Sequence, residues 1–296
     1  MLPNKVKIVE VGPRDGLQNE KTILTVEQKV QLIDMLREAG CHNIEVGSFV
    51  SPKWVPQMSN TSEVYQKVHK DPNIHYSALV PNQQGFEAAC GSGCHEISIF
   101  AAASETFSKK NINCSIKNSL DKFKAICEQA QQKNIKVRGY VSCIAGCPYE
   151  GEVDINQINY VAKSLYHMGC YEVSLGDTIG VGTPKVCQNI IHSVSKNVPL
   201  NNIAIHFHDT YGQALANIYA CLEIGVQIVD SSIGGLGGCP YAKGASGNVA
   251  TEDVVYMLNG LDIQTNLRIN KLIKTTHFLE DLLGKKLPSK LSKTQH

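Results

Sequence analysis

A TIM (β/α)8 barrel with extra C-terminal helices is the fold this sequence predicts, on three observations. Eight short apolar runs recur along the chain, helical stretches separate them, and no obvious linker interrupts the series. At 296 residues, with 43% apolar and 19% charged side chains, the chain has the length of one such barrel and can bury its core. The expectation is one catalytic domain over residues 1–296.

The strand candidates are Lys7 to Val11, Asn43 to Gly47, His75 to Val80, Glu96 to Ala101, Lys136 to Ser142, Glu172 to Leu175, Ile203 to Phe207, and Gln227 to Ser232. Between the first two, Thr25 and Gln28 form a capping box, Val26, Val30, Ile33 and Leu36 make an apolar face, and Gly40 stops the helix. Asp154 and Gly169 bracket a later helix in the same way, as do Gly212 and Gly225. Each helix feeds directly into a strand, which favours a closed parallel barrel over an open sheet. The tail from about Leu261 to His296 is expected to add helices outside the barrel.

A formal net charge of +1 and the lack of any Lys/Arg block argue against a nucleic-acid partner. No apolar run approaches the roughly 20 residues needed to span a bilayer, and Met1 to Val11 has neither a signal core nor an Arg- and Ser-rich presequence. The expected location is cytoplasmic. Eleven scattered cysteines suit a reduced compartment, and the Cys90/Cys94 and Cys143/Cys147 spacings do not match common structural zinc sites.

In a barrel, chemistry sits at the C-terminal ends of the strands. Arg14 and Asp15 end the first strand, Glu45 and Ser48 lie at the second, Asp177 ends the sixth, and His206 and His208 end the seventh. Residues two apart on a strand share a side, so both imidazoles can face one ion while Phe207 packs outward. The bland reading of one His-x-His is a pair of hydrogen-bonded interior histidines. Asp15 and Asn248 add a hard carboxylate and a carbonyl oxygen, which tips the reading to octahedral Mg²⁺ or Mn²⁺. Non-haem Fe(II) and zinc also suit two His and a carboxylate.

Arg14 offers a permanent charge where an oxyanion develops, or else a structural ion pair. Glu10, inside the first strand, reads as half of a buried ion pair beneath the site. The glycine-dense stretch Gly234 to Glu252 is too long for a minimal turn and reads as a lid or a plain surface loop. It carries Cys239, whose thiol suits a proton donor that arrives after substrate.

The segments VEVGPRDGLQNE, IEVGSFVSPKWVPQM, VRGYVSCIAGCPYEGEV, VSLGDTIGVGTP, HFHDTYGQALAN and GGLGGCPYAKGASGNVATED together closely resemble the 3-hydroxy-3-methylglutaryl-CoA lyase family, in order and over nearly the whole chain. Arg-Asp on the first strand and His-x-His on the seventh are shared by a wider group of metal-dependent lyases and acyltransferases, so the cysteine loop is the finer discriminator. The resemblance implies cleavage of the acyl-CoA substrate to acetoacetate and acetyl-CoA, with Asp15, His206, His208 and Asn248 holding a divalent cation. It implies further that Arg14, Glu45 and Asp177 shape the surroundings, that Cys239 is catalytic, that Ser48, Tyr140 and Ser174 touch substrate, and that the chain is a homodimer. For the base the resemblance points to His206, with Asp15 and Asp177 as competing choices. The alternatives are an isopropylmalate or homocitrate synthase-like condensing enzyme and an inactive acyl-CoA or metal-binding barrel.

Overall fold

The computed structural model describes residues 1–237 and 247–294. Among them, β1 (Lys7–Glu10), β2 (Asn43–Ser48), β3 (His75–Leu79), β4 (Glu96–Ala102), β5 (Lys136–Ser142), β6 (Glu172–Asp177), β7 (Ile203–Phe207) and β8 (Ile228–Ser231) close into a parallel barrel. Lys7 opposite Ile228 and Glu10 opposite Ser231 seal the ring between β1 and β8.

The outer ring is built from α1 (Val26–Ala39), α2 (Thr61–Lys67), α3 (Gln83–Gly91), α4 (Glu105–Ile112), α5 (Ile116–Gln132), α6 (Ile155–His167), α7 (Pro184–Val194), α8 (Ala214–Glu223) and α9 (Thr251–Gly260). The boundaries follow local chemistry. Thr25 and Gln28 make the reciprocal capping box that starts α1, and Gly40 ends it at a φ of 100°. Asp154 caps α6 by accepting from the Asn156 amide. The expected tail helix is α10 (Ile269–Leu283), which packs on α1 and is anchored where the Arg268 amide donates to the Ala39 carbonyl at 2.8 Å.

Alternation along each strand sorts side chains to the two sides of the barrel wall. Ile8, Ile44, Val137, Val173, Leu175, Ile205, Phe207 and Val229 face the helices and form the main core. The inner positions differ. Val9, Val11, Ala204 and Ile228 form a small apolar cluster, while Arg138, Ser174, His206 and Asp230 are buried polar groups. The polar mouth therefore continues downward into a charged interior. A register shift between Glu45 and Gly47 irregularises the β2 pairing with β3 beside the mouth.

Candidate active site

Beyond β1 the chain makes one wide turn over Gly12–Gly16, in which the Gly16 amide reaches Val11 O at 3.2 Å and the Leu17 amide reaches Gly12 O at 2.9 Å. Such five-residue hydrogen bonding is uncommon and recurs at functional sites. It carries Arg14 and Asp15 to the mouth. The Arg14 guanidinium donates from Nε to Glu45 Oε2 at 2.5 Å and from Nη1 to Asp15 Oδ1. It also lies 5.4 Å from the centre of the Tyr140 ring. Burial opposes the charge on Arg14, but the Glu45 and Asp15 carboxylates outweigh it and hold the pKa above the ordinary value. For Asp15, burial is outweighed by Arg14 and then by the two histidines, which pulls the carboxyl down to about 2. Asp15 is therefore ionised at any physiological pH.

His206 and His208 point to the same side of the β7 end, with ring centres 5.6 Å apart, and Phe207 packs into the outer core. One ligand atom from each of Asp15, His206 and His208 lies within 4.8 Å of the others. His206 Nε2 is 3.7 Å from Asp15 Oδ2, while its Nδ1 rests 3.2 Å from Asp230 Oδ2. Burial, then the neighbouring His206, lowers the His208 pKa to about 4, so this imidazole is neutral and has a lone pair to give. Among the described residues, His208 Nδ1 is buried with no hydrogen-bond partner. An orphaned imidazole nitrogen, a second imidazole oriented by a carboxylate and an ionised aspartate fit a divalent cation.

The fourth expected ligand comes from the far side of the glycine-rich stretch. Asp209 N bonds Gly247 O at 2.6 Å and Val249 N bonds Phe207 O at 3.2 Å, so the chain before α9 is zipped to the end of β7 and Asn248 lies opposite His208. Asn248 Nδ2 donates to Asp15 Oδ2 at 2.8 Å. The carbonyl oxygen expected to bind a cation is thus the other end of the same amide, one half-turn away. Gly237 has a φ of 108°, and a Cβ there would stand 2.9 Å from Asn248 Nδ2, so this close approach requires glycine. Gly247 N bonds Gly237 O at 3.0 Å, which ties together the two flanks of the segment bearing Cys239. Cys239 itself lies outside the described residues.

The remaining expected site residues take different positions. Glu45 and Tyr140 meet Arg14, with the Tyr140 hydroxyl donating to Glu45 Oε2 at 3.3 Å, and Tyr140 packs edge-on to His206 at 5.9 Å. Burial, then the Glu45 charge, pushes the Tyr140 phenol well above its ordinary value. Ser48 is buried at the end of β2 and its hydroxyl accepts from the Val50 amide at 3.3 Å. Asp177 turns away from the histidines and accepts from Val181 N at 3.2 Å and Gly182 N at 2.8 Å, which shapes the loop before α7. Burial raises its pKa. Ser174 lies below the mouth and donates to Asp230 Oδ2 at 2.8 Å.

Glu10 departs from expectation. It is the last residue of β1 and forms no ion pair among the described residues; it accepts from Gly12 N and Ile233 N, each at 2.8 Å, and from Thr251 Oγ1 at 2.6 Å. Neutral donors do not offset burial, and its pKa rises to about 7. Residues not singled out in the sequence also bear on the site: Arg138, Glu172 and Asp230 form a buried ionic chain under His206. Their signal was the charge of Arg138 and Asp230 inside apolar stretches of β5 and β8, and of Glu172 at the start of β6.

Known proteins match this chain over nearly its whole length. The family model described as HMGL-like matches residues 5–279. Hydroxymethylglutaryl-CoA lyase of Pongo abelii mitochondria is 58% identical over 98% of this chain and 90% of its own length. The Pseudomonas aeruginosa 3-hydroxy-3-isohexenylglutaryl-CoA/hydroxy-methylglutaryl-CoA lyase is 56% identical over 99% of this chain and 97% of its own. Among solved structures, hydroxymethylglutaryl-CoA lyase from Pseudomonas aeruginosa superposes with a TM-score of 0.97 at 56% identity, covering 99% of this chain and 98% of that one. An Acinetobacter baumannii HMG-CoA lyase in complex with coenzyme A and 3-methylmalate gives 0.94 at 35% identity, over 99% and 96% of the two chains. By sequence and by fold alike, this chain belongs to the HMGL-like family and, within it, to the hydroxymethylglutaryl-CoA lyases.

Proposed function

We propose that this chain is a divalent-cation-dependent lyase that cleaves 3-hydroxy-3-methylglutaryl-CoA to acetoacetate and acetyl-CoA. The observation that carries the reading is the convergence of Asp15, His206 and His208 beside a buried Arg14, in a chain 58% identical to a named lyase. Asp15, His206, His208 and, after its amide turns, Asn248 are the residues that would hold the ion. Bound Mg²⁺ or Mn²⁺ would supply Lewis-acid polarisation of the substrate's oxygens.

The protein's own groups account for the proton movements. A base takes the proton of the tertiary hydroxyl, the carbon–carbon bond breaks to leave the ketone of acetoacetate, and the electron pair departs as the thioester enolate. We assign the base to His206, whose Nε2 would take the proton only when released from the cation, because Asp230 lies against its other nitrogen and balances the charge gained. Asp177 is the weaker candidate, since backbone amides of its own loop already occupy both carboxylate oxygens. Arg14, fixed at two nitrogens by Glu45 and Asp15, presents the rest of its fork to the enolate oxygen. The Cys239 thiol delivers the proton that completes acetyl-CoA. Ser48 and Tyr140 remain proposed substrate contacts at the mouth. Ser174, hydrogen-bonded to Asp230, would have to release that bond to reach substrate.

A single domain, a homodimer and a cytoplasmic location belong to the same proposal. The ten described cysteines are all free, in keeping with a reduced compartment. Among the described residues no helix is long and apolar enough to cross a membrane.

Turnover of 3-hydroxy-3-methylglutaryl-CoA by metal-stripped protein, with Mg²⁺ or Mn²⁺ restored, tests the reading. Acetoacetate should appear only with metal, and Cys239→Ala should lower kcat by about 10²- to 10⁴-fold, the usual worth of a positioned proton donor. No acetoacetate from the native chain with either metal would overturn it.

A further inference from the structure

Beneath the mouth, Asp230 on β8 gathers four donors onto two oxygens. Its Oδ1 accepts from Arg138 Nη2 at 2.7 Å; its Oδ2 accepts from Arg138 Nη1 at 3.0 Å and from Ser174 Oγ at 2.8 Å, and faces His206 Nδ1 at 3.2 Å. Arg138 is in turn held from its Nε by Glu172 Oε1 at 2.6 Å, and Lys7 Nζ reaches Glu172 Oε2 at 2.7 Å. The chain of contacts runs from a partly exposed lysine at the foot of the barrel to an imidazole at its mouth, through side chains that are at most 3% exposed. A guanidinium cannot give up its proton, so both of its contacts to Asp230 require a carboxylate that only accepts. The His206 nitrogen facing that carboxylate must then be the one bearing hydrogen, and the nitrogen facing Asp15 must carry the lone pair.

We propose that Asp230, locked in place by Arg138, is a positioning residue that holds His206 in the Nδ1–H tautomer and thereby keeps Nε2 available to the divalent cation. The proposal rests on the cation reading given above. It makes the buried ionic chain part of the site's function rather than a device of the fold alone. Outer partners of this kind, which fix the tautomer and aim of a ligating histidine, typically change metal affinity by about 10- to 100-fold when removed.

Two measurements on the whole chain test it. Mn²⁺ binding followed by electron paramagnetic resonance would compare the native chain, the double variant Arg138→Met/Asp230→Leu, and Glu172→Gln. Replacing a buried ion pair by apolar side chains of similar size generally preserves folding, and Glu172 keeps Lys7 as its partner. Glu172→Gln removes charge from the same network without touching the contact to His206. The double variant is expected to lose Mn²⁺ affinity by about 10- to 100-fold, and Glu172→Gln by less than about threefold. Native affinity in the double variant, or an equal loss in both, would overturn the proposal. If the native chain itself bound no Mn²⁺, the cation reading would fall instead. The second measurement needs no folded network variant. In a long-range ¹⁵N spectrum of the metal-free native protein at mildly alkaline pH, the His206 signal, identified by its loss in His206→Gln, should show hydrogen on Nδ1. Hydrogen on Nε2 would overturn the proposal whatever the metal does.

Discussion

Two buried acidic clusters lie on opposite sides of the wall that β1 and β8 share, and they are held in opposite ways. Inside, Asp230 and Glu172 are matched by Arg138 and Lys7. Outside, Glu10 and Glu252 meet only neutral donors among the described residues: Gly12, Ile233 and Thr251 for the first, Gly234 at 3.0 Å and Thr276 at 2.6 Å for the second. Burial acts against both pairs, but for Asp230 the guanidinium outweighs it and the pKa falls well below the carboxylate range. For Glu10 nothing outweighs it, and the pKa rises to about 7. The inner cluster is therefore a permanent ionic frame under the site. The outer one pins the turn after β1 to the root of the glycine-rich stretch with a bond that a proton can alter.

The sharpest way to break the contrast is to remove the cation inside. Arg138→Met should cost about 3–5 kcal/mol in urea unfolding, because it leaves Asp230 as an uncompensated buried charge. A loss below 1 kcal/mol would mean that the frame is not charge-balanced as described. Next in size is a pH effect specific to the outer cluster. Glu10 has a folded pKa of about 7 against 4.5 unfolded, so between those values the folded state binds more protons than the unfolded one. Its contribution to stability is present below pH 4.5 and is lost as pH rises towards 7, by about 3 kcal/mol in total. Stability curves for the native chain and Glu10→Gln should differ in slope over that window, the variant falling less steeply; parallel curves would refute the assignment.

Thr276→Val should cost about 1–3 kcal/mol, since Glu252 Oε1 loses its hydroxyl donor in a buried setting. The smallest effect belongs to Lys7→Met. Its side chain is about a third exposed, and so its pairing with Glu172 should contribute at most about 1 kcal/mol. A larger loss would show that the foot of the inner frame is less hydrated than its exposure suggests.

Much of this was legible in advance because barrel strands advertise themselves. Lys136–Ser142 and Ile203–Phe207 were read to the residue as short stretches rich in apolar side chains, set between helical segments. β6 runs on to Asp177, past the expected Leu175, because Gly176 and Asp177 find partners in His206 and Phe207 on the next strand. That extension depends on a neighbour rather than on local pattern. Asp15, His206 and His208 were legible as a set because all lie at strand ends, where this fold brings side chains together. Asn248 was placed beside them as expected, but the direction of its amide depends on what Asp15 accepts.

Glu10 shows where sequence reasoning stops. A charge in an apolar strand announces that something must satisfy it, and the simplest partner is a cation. Which partner it meets depends on which side of the wall it faces and on loops more than two hundred residues away, with Ile233 and Thr251 separated from it by 223 and 241 positions. The same holds for Arg138 and Asp230, 92 positions apart. Sequence alone determined the periodicities, the caps and the types of residue at each strand end, because these are local consequences of backbone geometry and side-chain chemistry. Tertiary structure decided which carboxylate is charged, which imidazole nitrogen faces Asp15 and which loops are tied together, because those follow from closing the ring and from the low-dielectric space it encloses.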